Sequence, residues 1–234
     1  MILERPAAAR GSVRLDWLHS RHTFSFGHYH DPQWMGFGLL RVINEDIVAP
    51  GGGFAPHSHA NMEILSVVLG GALAHRDSAG HEGVIRPGDV QWMSAGHGIQ
   101  HSEYNASQTE PVHFLQIWIQ TDRLNAPPAY AQKQFDPEAR RARWALLASP
   151  DGADGSLAIR QQARLLATRL EPGDAVPLSL DATKRHWLHV ARGEVRLDER
   201  TLGAGDALGF IKESGPCTLA GVAATTDVLL FELP

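Results

Sequence analysis

The sequence predicts an all-β fold in which one β unit is used twice, and three observations support this. Its 23 glycines and 14 prolines are scattered singly over 234 residues instead of being gathered in one linker, which is typical of short strands joined by turns. Segments rich in β-branched and aromatic residues lie between these turns. The order of glycine turns in the first half of the chain recurs in the second half.

Six segments have the composition and the turn-residue boundaries of strands. They are residues 62–69, 84–93, 112–120, 157–170, 187–197 and 227–233. The clearest helix start is Asp136-Pro137-Glu138, which combines an N-cap residue, a proline at the first helical position and an acidic first turn. We expect this helix to last one or two turns.

The repeat rests on two pairs of turns. In the first half, Gly70-Gly71 precedes a Gly-Asp turn at residues 88–89, and in the second half Gly193 precedes a Gly-Asp turn at residues 205–206. The alternative is that Gly-Asp turns recur by chance in an all-β chain. Because Pro127-Pro128 marks the best connection between the halves, we divide the chain into domains at residues 1–124 and 125–234.

Charge and composition exclude several classes of function. A net charge of −5 is too acidic for a protein that coats a phosphate backbone, so we expect no nucleic-acid partner. The longest uncharged central stretch, residues 64–74, is far shorter than the roughly 20 apolar residues of a membrane helix, and the first ten residues lack a signal core. The single cysteine, Cys217, cannot form an intrachain disulfide. We expect a cytoplasmic protein without a membrane partner.

Two pairs of side chains have the spacing of metal ligands on strands. His57 and His59 lie two residues apart, so that on a strand both point to the same face. His101 and Glu103 repeat this spacing. On neighbouring strands, the two pairs would bring three imidazoles and one carboxylate to one ion. This donor set suits a five- or six-coordinate transition metal with positions left open to water, and it predicts a reactive site.

The wider spacing resembles that of the cupin proteins. The first cupin motif is matched at every fixed position, namely Gly51, His57, His59, Glu63 and Gly70. The second motif is matched with two departures, because Ser94 stands where the pattern has proline and two extra residues precede His101. Cupins are jelly-roll barrels, which agrees with the strand pattern.

A closer resemblance is to the pirin family, and it is dense over about the first 120 residues. The most specific blocks are Gln91-Trp92-Met93 and Gly96-x-Gly98-Ile99-x-His101-Ser102-Glu103. Further segments that look like pirin are residues 21–26, 28–31, 36–38, 41–46, 56–59, 75–78 and 86–96. The second half resembles the family only in outline. The resemblance implies a bicupin of two jelly-roll barrels with a few short helices.

The resemblance also implies one metal ion in the N-terminal barrel, typically iron. The residues that match the ligands of the family are His57, His59, His101 and Glu103. The generic cupin motif instead nominates Glu63 as the carboxylate ligand, and strand parity does not decide between the two. We follow the pirin pattern and leave Glu63 open as a ligand or as a partner of a ligand imidazole. Fe(II) is the expected ion, with Zn, Cu, Ni, Mn and Co as alternatives.

The activity implied by the resemblance is that of a quercetin 2,3-dioxygenase, which opens a flavonol with O2 and releases CO. Glu103, as the only anionic ligand, is the expected catalytic base for the 3-hydroxyl of the flavonol. The alternative is a non-enzymatic, iron-binding redox sensor or regulatory protein of the pirin type. No sequence feature identifies a protein partner.

The second barrel is expected to be metal-free. Aligning the glycine turns of the two halves carries His57 and His59 onto Leu180 and Ala182. The same alignment carries the second ligand pair onto Thr218 and Ala220. None of these four side chains binds a metal ion.

Overall fold

The computed structural model describes residues 1–234 and consists almost entirely of strands, as predicted. In chain order the strands are β1 (Ile2–Arg5), β2 (Gly11–Arg14), β3 (Leu18–His22), β4 (Leu40–Val48), β5 (Gly53–His59), β6 (Met62–Gly70), β7 (Leu73–Asp77), β8 (Glu82–Ile85), β9 (Asp89–Ser94), β10 (Ile99–Asn105), β11 (Val112–Gln120), β12 (Ala129–Gln134), β13 (Ala145–Ser149), β14 (Leu157–Ala158), β15 (Arg164–Leu170), β16 (Ala175–Leu180), β17 (Arg185–Arg192), β18 (Glu194–Leu197), β19 (Arg200–Gly203), β20 (Ala207–Ile211), β21 (Gly215–Gly221) and β22 (Thr226–Leu233). Single turns of 3₁₀ helix lie at Ala7–Ala9, Glu138–Arg140 and Ala153–Gly155. The structure contains no helix with the length and hydropathy that a membrane span requires.

The chain divides into two compact units. The N-terminal barrel comprises Gly11–Phe135 with Ile159–Gln161, and the C-terminal barrel comprises Met1–Arg10, Asp136–Ala158 and Gln162–Pro234. These bounds differ from the expected division at residues 124 and 125. Strand β12 pairs with β9 in the N-terminal barrel, and β1 pairs with β20 in the C-terminal barrel. Each strand covers a sheet edge whose backbone groups would otherwise lack partners, which explains why the boundaries shift.

The N-terminal barrel is formed by two antiparallel sheets. The larger sheet has the order β12-β9-β6-β11-β4-β3-β2, and the smaller has the order β5-β10-β7-β8. Residues along β10 alternate between buried and more accessible positions, as expected for a strand with one face turned to the interior. The inward positions of β10 are Ile99, His101, Glu103 and Asn105. An imidazole and a carboxylate therefore point into this barrel.

The C-terminal barrel repeats this topology. Its sheets have the orders β1-β20-β17-β22-β15-β13-β14 and β16-β21-β18-β19. The run β20-β17-β22-β15 corresponds to β9-β6-β11-β4, so the repeat indicated by the glycine turns is present. Its interior contains a cluster of aliphatic side chains that includes Val176, Leu178, Val190, Val195, Leu219 and Leu230.

Three of the six expected strands are each two strands in the structure. Residues 84–93 are divided between β8 and β9 by a turn in which Gly88 has a φ of 95°. Residues 187–197 are divided at Gly193, with a φ of 77°, and residues 157–170 form β14 and β15. The predicted helix is a single 3₁₀ turn in which the Asp136 side chain accepts a hydrogen bond from the backbone N–H of Glu138 at 2.9 Å.

Candidate metal centre

The register of two strands brings three histidines together. Strand β10 pairs with β5 so that His101 lies opposite His57 and Ile99 lies opposite His59. The ring centroids of the three imidazoles are 4.5 to 4.8 Å apart. At the end of β10, the Asn105 amide donates hydrogen bonds to backbone carbonyls of Val48, Ala49 and Glu110. These bonds fix the strand that carries one of the three rings.

The ring nitrogens have the spacing expected of ligands to one ion. The Nε2 atoms of His59 and His101 are 2.9 Å apart. Two nitrogens at about 2.1 Å from a common ion are about 3.0 Å apart when they subtend a right angle, and about 3.4 Å apart at a tetrahedral angle. The Nδ1–H of His57 donates to the carbonyl oxygen of Ala55 at 2.8 Å, which leaves its Nε2 lone pair available to an ion. These residues fit a metal ion with five or six ligands.

Burial keeps two of these imidazoles neutral. The pKa of His59 is lowered to about 4, first by burial and then by the neighbouring His57. The pKa of His101 is lowered to about 2 by burial and by the surrounding histidines. Because the neutral ring is the form that binds metal, neither nitrogen has to lose a proton near neutral pH.

The carboxylate of Glu103 lies beside this group but has other partners. It accepts a hydrogen bond from Gln116 Nε2 at 2.7 Å. Ser66 Oγ, which donates to Gln116 Oε1 at 3.0 Å, lies 3.4 Å from the other carboxylate oxygen. Burial, followed by repulsion from Asp46, raises the pKa of Glu103 to about 7. A carboxylate oxygen of Glu103 and one ring nitrogen each of His75 and His101 all lie within 4.8 Å of one another. Ring nitrogens of His57, His59 and His101 form a second group with the same spacing. His101 therefore belongs to both groups.

A second layer of polar side chains lies behind His101. Its Nδ1 is 3.4 Å from Nδ1 of His75, whose Nε2 is 3.6 Å from Oδ2 of Asp77. Asp77 also accepts a hydrogen bond from Nδ1 of the half-exposed His81 at 2.9 Å. The Tyr130 ring stacks on the imidazoles of His75 and His81. The alternation of buried residues 75 and 77 on β7 is the local sequence signal for this layer.

Glu63 has neither of the two roles that the sequence left open. Its buried carboxylate accepts hydrogen bonds from Trp92 Nε1 and Ser94 Oγ, both at 2.7 Å. A third bond comes from the backbone N–H of Arg160 at 3.1 Å. The guanidinium of Arg160 in turn donates to Ser94 Oγ and to the Pro127 carbonyl. Glu63 thus joins the segment Ile159–Gln161 to the N-terminal barrel and contacts no imidazole.

A cavity of about 430 Å³ opens beside the histidines. Its lining includes His57, His59 and Glu103. Much of the remaining wall is apolar or aromatic, formed by Val13, Leu18, Phe26, Phe54 and Trp118. The Trp118 ring meets the His59 imidazole edge to face at a centroid distance of 4.8 Å. A small planar molecule in this cavity would touch the imidazoles and apolar walls together.

Comparison with known proteins identifies the family of the chain. The sequence model of the Pirin family matches residues 4–119, and that of the quercetinase C-terminal cupin domain matches residues 146–233. A protein of Escherichia coli strain K12 named quercetin 2,3-dioxygenase is 41% identical, over 100% of this chain and 99% of its own length. The chain belongs to the pirin family. The family and the bicupin fold expected from the sequence are thereby confirmed.

Other relatives and solved structures agree with this assignment. A putative quercetin 2,3-dioxygenase of Mycobacterium tuberculosis strain H37Rv is 46% identical, over 98% of this pirin and 93% of that protein. A pirin-like protein of Caulobacter vibrioides is 38% identical, over 98% of this pirin and 99% of that protein. The crystal structure of the bacterial pirin YhhW from Escherichia coli in complex with nickel(II) matches with a TM-score of 0.92 and 39% identity, over 100% and 99% of the two chains.

Proposed function

We propose that this pirin is a metal-dependent dioxygenase of the quercetin 2,3-dioxygenase type, which opens a flavonol with O2 and releases CO. The observation that carries the proposal is the convergence of three imidazoles, two of which, His57 and His59, line a largely apolar cavity. The names of relatives that match the chain over nearly its whole length support the same activity. At about 430 Å³, the cavity falls within the range of roughly 300–1,000 Å³ usual for small-molecule sites.

The residues that we propose to hold the ion are His57, His59, His101 and Glu103. We propose Fe(II) as the ion. Three nitrogens and one oxygen also suit Zn, Cu, Ni, Mn or Co, so cellular supply decides which is bound. A bound ion of this kind supplies Lewis acidity, which lowers the pKa of a coordinated hydroxyl group.

The side chains of the cavity orient the flavonol and exclude water. The rings of Phe26, Phe54 and Trp118 supply flat apolar walls for a planar substrate. Trp118 contacts both the Phe26 ring and the His59 ring, so the wall and the ligand group are held together. In a dry cavity, a hydrogen bond between the substrate and a buried charge is stronger than in water.

Glu103 is the base that we propose for the 3-hydroxyl of the flavonol. Its Oε2 is held by Gln116 at 2.7 Å, whereas its Oε1 has only the longer 3.4 Å contact with Ser66. Oε1 is therefore the atom that takes the proton. A carboxyl with a pKa of about 7 is well matched to proton transfer near neutral pH.

The test is turnover by the reconstituted protein. The chain is loaded with Fe(II) without oxygen, quercetin and O2 are added, and flavonol absorbance and CO are followed. The proposal expects CO release with more than one turnover per metal, abolished by His59→Ala and retained by His30→Ala, which changes an exposed histidine. Tight metal binding without flavonol consumption would contradict the enzyme and favour the redox sensor.

For the rest of the molecule we propose a supporting role. The C-terminal barrel is proposed to be metal-free, because aliphatic side chains such as Val176, Leu178 and Leu219 form its interior cluster. A cytoplasmic location is proposed because the single cysteine, Cys217, is a free thiol. The proposed partners are the flavonol and O2, with no nucleic acid or membrane among them.

A further inference from the structure

Two buried acceptor oxygens, on residues that line the cavity, have no hydrogen-bond partner within the protein. Asn44 and Asp46 lie two residues apart on β4, so both face the same side, and both line the cavity. Each residue is 4% exposed. The Oδ1 atom of each is buried without a hydrogen bond. Because buried polar groups in proteins are nearly always paired, two such oxygens on one wall indicate a ligand that donates to them.

The neighbouring strands show why these oxygens stay unpaired. Residues Ser20 and His22 of β3 lie opposite Asp46 and Asn44, and Gln116 of β11 also lies opposite Asn44. Ser20 hydrogen-bonds to the Asp46 carboxyl, and the Gln116 amide is engaged by Glu103 and Ser66. Neither Ser20 nor Gln116 therefore pairs with the two unpaired Oδ1 atoms.

We propose that Asp46 and Asn44 recognise hydroxyl groups of the substrate that do not bind the metal. The inference rests on the proposed function for its substrate class, a polyhydroxylated flavonol. An acceptor pair selects ligands that carry O–H donors, and a carboxylate makes a stronger, charge-assisted bond. A site built to bind a hydroxyl disfavours the analogue that lacks it, since its own polar groups are then left unpaired. These residues therefore determine specificity and do not hold the ion.

The test compares two ligands that share the 3-hydroxyl. Dissociation constants of quercetin and 3-hydroxyflavone are measured by fluorescence titration of the metal-loaded protein without oxygen. The wild type is expected to bind quercetin at least about 10-fold more tightly, and Asp46→Ala to reduce this preference to about 2-fold or less. Asp46→Asn, which keeps the volume, is expected to give an intermediate preference. Glu45→Gln, on the opposite face of β4 where its carboxylate contacts His113, is the matched control.

Each result decides the inference. An equal preference in the wild type and Asp46→Ala, or no binding of quercetin by the wild type, overturns it. If Asp46→Ala does not fold, an unchanged preference in Asp46→Asn and in Asn44→Ala overturns it instead. Turnover is read in a separate assay. If Asp46→Ala loses the preference for quercetin but the wild type does not consume quercetin, the inference stands and the proposed dioxygenase activity is refuted. If the wild type consumes quercetin but Asp46→Ala keeps the preference, the proposed activity stands and the inference is refuted.

Discussion

Replacing Glu63 by glutamine tests its structural role. The carboxylate accepts three hydrogen bonds, from Trp92, Ser94 and the backbone of Arg160. A buried hydrogen bond to a charged acceptor contributes about 1 kcal/mol more to stability than a hydrogen bond to a neutral amide. The Glu63→Gln variant is therefore expected to lose about 2–3 kcal/mol of unfolding free energy, with Tm lowered by roughly 4–12 °C. Its metal content is expected to match that of the wild type, because Glu63 contacts no imidazole.

The measurement is urea unfolding followed by circular dichroism, beside elemental analysis of the same samples. The control is Glu82→Gln, which removes a surface carboxylate that pairs with Arg76 at 2.9 Å, where both side chains are mostly exposed. Such a pair contributes less than about 1 kcal/mol. A Glu63→Gln variant as stable as Glu82→Gln would refute the hydrogen-bond account. Loss of metal from Glu63→Gln in the same samples would indicate that Glu63 is a metal ligand.

Three further variants test the metal centre and its cavity. His75→Leu removes the side chain behind His101 and is expected to lower metal affinity about 10- to 100-fold, measured by competition with a chelator; unchanged affinity would contradict the positioning role. Because the folded-state pKa of Glu103 is raised from 4.5 to about 7, its stabilising contribution is complete below pH 4.5 and is lost as the pH rises through 7. In urea unfolding, the free energy of unfolding of metal-free Glu103→Gln should accordingly equal that of the wild type at pH 4 and exceed it by about 3 kcal/mol at pH 8. A wild type more stable than the variant at pH 8 would refute this. With metal present, the same substitution is expected to depress turnover more than metal content, and equal losses on elemental analysis would make Glu103 mainly a ligand. Trp118→Ala opens the apolar wall and is expected to raise the KM for the flavonol at least about 10-fold with full metal content; loss of metal instead would place Trp118 in support of the imidazoles.

Local spacing was sufficient to predict the core of the site. The i, i+2 spacing of His57 and His59 fixes a shared face on any strand, and the same holds for His101 and Glu103. Once the two strands pair as neighbours, the three imidazoles converge with little further freedom. The all-β class follows from equally local signals, because glycine turns between apolar segments specify short strands.

Features that depend on distant pairing could not be predicted in this way. The partner of Glu63 is a backbone group of Arg160, 97 residues away, and no local pattern marks that bond. Asn44 and Asp46 line the cavity because of the register in which β4 pairs with its neighbouring strands. The bounds of the two compact units also depend on distant pairing, since β1 pairs with β20 and β12 pairs with β9 at sheet edges.

The most direct test of the metal centre is the metal stoichiometry of freshly purified wild-type protein beside that of His59→Ala. The Nε2 atoms of His59 and His101 lie 2.9 Å apart, and His59→Ala removes one of these two nitrogens. The account predicts about one ion per wild-type chain and less than about one tenth of an ion in a folded variant. Equal metal content in the two proteins would contradict it.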